Sequence, residues 1–158
     1  MANQIAVELY TNVIGYALKE TFESVHGVYL DKGTSLFETL ATISAAEASI
    51  PVGGKCATIA AQVEHTRFYL DVLEQYMLGN NPGKVDWANI WNTVSAVDDA
   101  EWAAIQERLR TSYERVTNSI NGIETWSDED EIGGPIAIIA HTAYHLGEIR
   151  QALCTIKG

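Results

Sequence analysis

The chain has 158 residues, 47% of them hydrophobic, and its 21 acidic and 10 basic side chains give a net charge of −11. This length suits one domain, spanning 1–158, with a core of useful size, and the apolar fraction argues against a disordered chain. The negative field repels phosphate backbones and anionic bilayers, so neither nucleic acid nor membrane is an expected partner.

Residues 5–25 predict a first helix, with Ile5, Leu9, Val13, Tyr16, Ala17 and Phe22 recurring near the helical period. Gly27 and Gly33 interrupt it. A short helix is expected from Thr34 or Ser35 to Ala46, ending before Pro51-Val-Gly-Gly54. A second long helix is read from about Lys55 to Leu78, with a stripe of Ile59, Val63, Phe68, Leu70, Val72, Leu73 and Met77. Gly79-Asn-Asn-Pro-Gly83 stops it. The third runs from Asp98 to Ile120, where Asp98 and Glu101 form a capping-box pattern. The fourth runs from about Ile132 to Thr155, with Pro135 in its first turn and the acidic run Asp128-Glu129-Asp130-Glu131 just ahead of its positive end.

Helices of roughly 20–25 residues are about 30–37 Å long, and four of them make an all-α four-helix bundle the expected fold. Residues 79–97 are too many for a hairpin turn but enough to run back along a bundle. This favours an up-down-down-up path with a long crossover between helices two and three. Trp87 and Trp91 lie in that crossover and Trp102 just beyond it, where they are expected to pin the strap and fill core space. No run approaches the roughly 18 apolar residues of a membrane span. The start, Met-Ala-Asn-Gln-Ile-Ala-Val-Glu, does not read as a leader. Cys56 and Cys154 are too few for a disulfide framework, which suits a cytoplasmic setting, and they read as small core residues about 13 Å along the helix axes from the histidines.

Of the 4 histidines, two stand in His141-Thr-Ala-Tyr-His145-Leu-Gly-Glu148-Ile-Arg150. A spacing of four stacks both imidazoles on one helical face, with Glu148 nearby on the same side. His65 lies near the middle of helix two, as the pair does in helix four, and Ala61, Phe68 and Val72 place it beside a core-facing stripe. Three neutral imidazoles inside an apolar bundle carry an unmet polar cost that one shared divalent ion removes. Nitrogen ligands suit zinc, nickel or iron, and three protein ligands leave a position for water or substrate. Glu148 is read as a fourth ligand, as an acceptor for an imidazole N–H, or as a partner of Arg150. Glu64, about 100° around the helix from His65, is the weaker candidate. Glu23-Ser-Val-His26 has the Glu-x-x-His spacing of two-metal bundles, but no second copy exists. Phosphate loops, serine elbows and Cys-x-x-Cys motifs are absent.

The segment His141-Thr-Ala-Tyr-His145-Leu-Gly-Glu148-Ile-Arg150 resembles the last-helix motif of the DinB-like superfamily, which includes YfiT-type members, and Val63-Glu64-His65 resembles the place of its first metal-binding histidine. The helix order is similar over essentially the whole chain. The resemblance implies an up-down-down-up bundle, often a homodimer, holding nickel, zinc or a related ion on His65, His141 and His145. It also implies low-molecular-weight thiol transfer or thiol-dependent isomerisation in some branches and hydrolysis in others. Glu148 stands where glutamine or another polar residue is common in the family.

The preferred reading is an enzyme that transfers a low-molecular-weight thiol to a small electrophile, with the metal holding the thiol as thiolate. Tyr144 and Glu148 are the candidate catalytic residues for proton movement. Water at the open position would instead support hydrolysis. A non-enzymatic bundle, in which the ion ties helices together or the chain dimerises, is the third reading.

Overall fold

The computed structural model describes residues 5–158, so part of the expectation for the first eight residues lies outside the described ones. The described residues form no strands. Four long helices, α1 (Val7–Phe22), α4 (Ile59–Met77), α6 (Asp99–Asn121) and α7 (Glu129–Lys157), pack together, with short helices α2 (Leu36–Leu40), α3 (Ala45–Ala48) and α5 (Asn89–Thr93) in the links. α1 and α4 each pack against both α6 and α7. No helix among the described residues is long and apolar enough to cross a membrane.

Of the stripe read from the sequence α1 buries only Phe22, and Ile14 and Leu18 complete its inner apolar face. Ile5, Leu9, Val13 and Tyr16 are exposed, Leu9 to 60%. Both faces of this helix carry apolar residues at helical spacing, so periodicity alone could not choose between them. The short helix also differs from expectation, because it breaks in two. Ser44 starts a second capping box, in which its hydroxyl accepts from the Glu47 N–H and its own N–H donates to the Glu47 carboxylate at 2.8 Å.

α4 begins four residues later than expected. Gly53 and Gly54, at φ of 60° and 75°, bend the chain in a short 3₁₀ turn (Val52–Gly54) that side-chain-bearing residues would strain. Thr58 then caps the helix by accepting from the Ala61 N–H at 3.2 Å. Residues 59–66 are all buried, which makes this the most enclosed stretch of the fold.

α6 starts as predicted on the Asp98–Glu101 box. α7 begins earlier than predicted, because Asp128 caps it and the acidic run forms its first turn. Pro135 therefore lies inside the helix instead of in that turn. Gly134 beside it faces Met77, and a Cβ there would lie 2.4 Å from Met77 Cγ. This glycine lets α7 approach α4 closely.

The register follows from named contacts. Gln62 meets His145 at one end of the α4–α7 seam and Met77 meets Gly134 at the other, so these helices run in opposite senses. On the α4–α6 seam, Arg108 donates to Glu64 at 3.1 Å and Ser119 to Glu74 at 3.0 Å. Those two helices therefore run in the same sense. Arg115 bridges Asp71 and the buried Glu74, each at 2.5 Å. A carboxylate as enclosed as Glu74 persists only with such partners.

A further buried carboxylate organises the loop after α1. Glu20 accepts from the backbone N–H groups of His26, Val28, Tyr29 and Leu30 at 2.5–2.8 Å. Burial opposes its charge, but these four donors outweigh that effect and lower its pKa from 4.5 to about 2. Because the folded value is the lower one, the stabilisation is complete above pH 4.5 and fades as the pH falls toward 2. Chemical denaturation across that range should show a loss of stability that Glu20→Gln abolishes while lowering stability at neutral pH. An unchanged acid profile in the variant would contradict this assignment.

Candidate metal centre

Antiparallel packing of α4 on α7 brings His65 against His141 and His145. The Nε2 atoms of His65 and His141 stand 3.2 Å apart. The ring of His145 meets both others edge-on, with centroids at 4.5 Å from His141 and 4.9 Å from His65. One ligand atom from each residue lies within 4.8 Å of the others, and among the described residues no other His, Cys, Asp or Glu side chains form such a cluster.

The donor set fits a divalent ion. Bonds of about 2.0–2.1 Å at tetrahedral angles put two nitrogens about 3.3 Å apart, close to the 3.2 Å of the facing Nε2 pair. The full set is wider than that edge, at up to 4.8 Å. Burial, together with the neighbouring His145, lowers the pKa of His65 to about 4. Burial also lowers His141 to about 4, with help from His145 and His65. His145 is lowered by burial too, against the pull of Glu148. All three are therefore neutral at pH 7, the form that ligates metal. Nδ1 of His65 is buried with no hydrogen-bond partner.

His145 is held from behind. Its Nδ1 faces Gln62 Oε1 at 3.1 Å and Glu148 Oε2 at 3.0 Å. An N–H on Nδ1 leaves the Nε2 lone pair free for a metal, and such partners fix the ring and raise its basicity. Gln62 escaped the sequence reading. Its spacing of three before His65, on the same helical side, was the available signal. Glu148 stands as an imidazole acceptor, and Arg150 does not pair with it but donates to Thr39 at 3.3 Å.

Aromatic rings enclose the cluster. Tyr69 stacks on His141 at 3.7 Å, and Trp91 from α5 covers His65 at 4.5 Å. Tyr144 meets His145 edge-on at 5.0 Å but is 61% exposed. Its hydrogen bond to Glu148 raises its pKa. Trp87 packs against Phe68 and Tyr69, and Trp102 is buried with its indole N–H on the Ile43 carbonyl at 2.8 Å. The tryptophans thus tie the segment between α4 and α6 to the long helices, although Trp87 and Trp91 remain partly exposed instead of entering the core.

Other candidates fall away. Glu64 is turned into ion pairs with Arg67 and Arg108. His26 is exposed in the loop after α1, while Glu23 accepts from the Tyr113 hydroxyl at 2.8 Å. The Glu-x-x-His spacing therefore makes no shared site. Cys56 and Cys154 are free and exposed, which corrects their reading as core residues. The first precedes α4 on a surface turn, and the second lies on an outward face of the last turns of α7.

Comparison with protein families, with curated proteins and with solved structures finds no match. The chain is an all-α helical protein with a three-histidine cluster able to bind a metal ion, consistent in general with a DinB/YfiT-like metal-binding bundle.

Metal analysis after dialysis should show His65→Ala, His141→Ala and His145→Ala each losing most of the bound metal. Gln62→Leu should keep the site but weaken affinity by about 10–100-fold, as loss of a ligand's supporting partner does. Full retention by the three alanine variants would remove the site.

Proposed function

We propose that the protein is a cytoplasmic metal-dependent enzyme that transfers a low-molecular-weight thiol to a small electrophile, on a DinB-like bundle of up-down-down-up path. The observation that carries this reading is a cluster of three neutral imidazoles with no fourth protein donor among its members. The opposed α4 and α7 and the like-directed α4 and α6 support the chain path.

His65, His141 and His145 would hold the ion, with nickel or zinc the best match to three nitrogens and iron a third choice. When bound, that ion would keep a thiol in its nucleophilic thiolate form at neutral pH. The protein's own groups supply orientation and proton handling. Gln62 and Glu148 fix the His145 ring through Nδ1, and Tyr69 and Trp91 limit how His141 and His65 turn. Tyr144, a phenol protonated at neutral pH, would be a proton donor at the exposed edge of the cluster. Glu148, which pairs with His145 at 3.0 Å, is the carboxylate that would take up the thiol proton.

Loaded with nickel or zinc, the protein should consume a model electrophile such as 1-chloro-2,4-dinitrobenzene only when cysteine or another small thiol is added. His145→Ala should abolish that turnover. Ester hydrolysis without thiol, and none of the transfer, would turn the reading toward hydrolysis by the same centre.

We also propose that the protein is a homodimer joined through the outer face of α1, because Leu9, Val13 and Tyr16 are exposed there, with Ile5 just ahead of the helix. Sedimentation should find a dimer that Leu9→Glu with Val13→Glu converts to a folded monomer. A monomeric wild type would contradict this.

A further inference from the structure

Two clefts open beside the histidine cluster and share a wall. One, of about 450 Å³, lies between the 3₁₀ turn and α7 and is bordered by Cys56, Gln62, Tyr144 and Glu148. The other, of about 520 Å³, lies between the same turn and the 91–95 segment, bordered by Pro51, Lys55, Cys56, Ala61, Trp91 and Val94. Cys56 belongs to both. Ala61 stands one helical turn before His65, and Trp91 covers the His65 ring at 4.5 Å. None of the three histidines lines either cleft; the first adjoins the cluster through Gln62 and Glu148, which hold His145, and the second through Trp91, at the amino-terminal end of α4.

Their walls differ in charge. The first carries Glu148, already bonded to His145, with the polar Gln62 and Tyr144. The second has no acidic residue, although the chain has 21. Its one charged group is Lys55, which forms no ion pair among the described residues. The rest of this wall is largely apolar, with a partly exposed indole offering a flat surface. Gly53 and Gly54, in conformations that disfavour side chains, fix the turn that carries Lys55 to the cleft.

From these features we infer that the Trp91–Lys55 cleft is a substrate subsite for a small anionic molecule with a flat apolar body. The ring lies against Trp91, and the anionic group reaches Lys55. This rests on the two-substrate transfer proposed above, where the cleft would hold the electrophile while the Glu148 cleft admits the thiol. A transferase must bring two reactants to one centre in fixed orientation, and two adjoining clefts of different charge meet that need.

The test uses 2-naphthoate and 2-naphthylmethylamine, which share a ring system and differ in charge, with binding followed by titration calorimetry. On the metal-loaded protein, naphthoate should bind about tenfold tighter than the amine, despite a net charge of −11 that favours the cation. Lys55→Glu should reverse that order, and Trp91→Ala should weaken naphthoate by about tenfold, with Trp91→Phe in between. Metal content is measured on every sample, and naphthoate binding is repeated on His141→Ala. Tighter binding of the amine to the wild type, or an order unchanged by Lys55→Glu, overturns the subsite even where metal is retained. Selective naphthoate binding to a protein that holds no metal supports the cleft while sinking the transferase reading.

Discussion

The contact on which the rest of the site depends is the meeting of two imidazole nitrogens, His65 Nε2 and His141 Nε2, 3.2 Å apart in the α4–α7 seam. Two neutral rings can face each other in this way only if they share one proton or direct both lone pairs at a cation. The seam excludes water from most of His65 and His145, so a protonated ring there is costly. The result is a set of bases held uncharged and close together, with Gln62 and Glu148 aligning the third. Helix register makes this possible. Close approach at Gly134 and Met77 seats one end of the seam, and the Gln62–His145 contact seats the other.

α4 separates two kinds of chemistry. Its α7 side carries imidazoles and aromatic rings, whereas its α6 side carries the ion pairs of Glu64, Asp71 and Glu74 with Arg67, Arg108 and Arg115. Glu64 neighbours His65 in sequence yet points into the charged seam. The two arginines on Glu64 draw its charge away from the histidines. Adjacent residues on one helix therefore serve unrelated ends, which is what 100° per residue allows.

Much of this was legible in the sequence. The His141–His145 spacing and the mid-helix position of His65 anticipated the cluster, and the Asp98–Glu101 box marked the start of α6 to the residue. Other features were hidden for physical reasons. α1 has two apolar faces, and only tertiary packing selects Ile14, Leu18 and Phe22 as the inner one. Pro135 suggested a helix start near Ile132, but the acidic run and its Asp128 cap begin α7 three residues earlier. The role of Gln62 depends on the register of α7 against α4, which no local pattern encodes. The exposure of Cys56 follows from the glycine-bent turn, which displaces the start of α4 beyond it.

X-ray absorption at the metal edge of protein loaded with one equivalent of nickel or zinc reads the ligands of the three-histidine centre. The expected spectrum has three imidazole nitrogens at about 2.0–2.1 Å, with the outer-shell scattering of histidine rings and at least one exchangeable oxygen ligand. A shell made of oxygen alone, or an ion bound with the same spectrum when His65, His141 and His145 are all replaced, would contradict it.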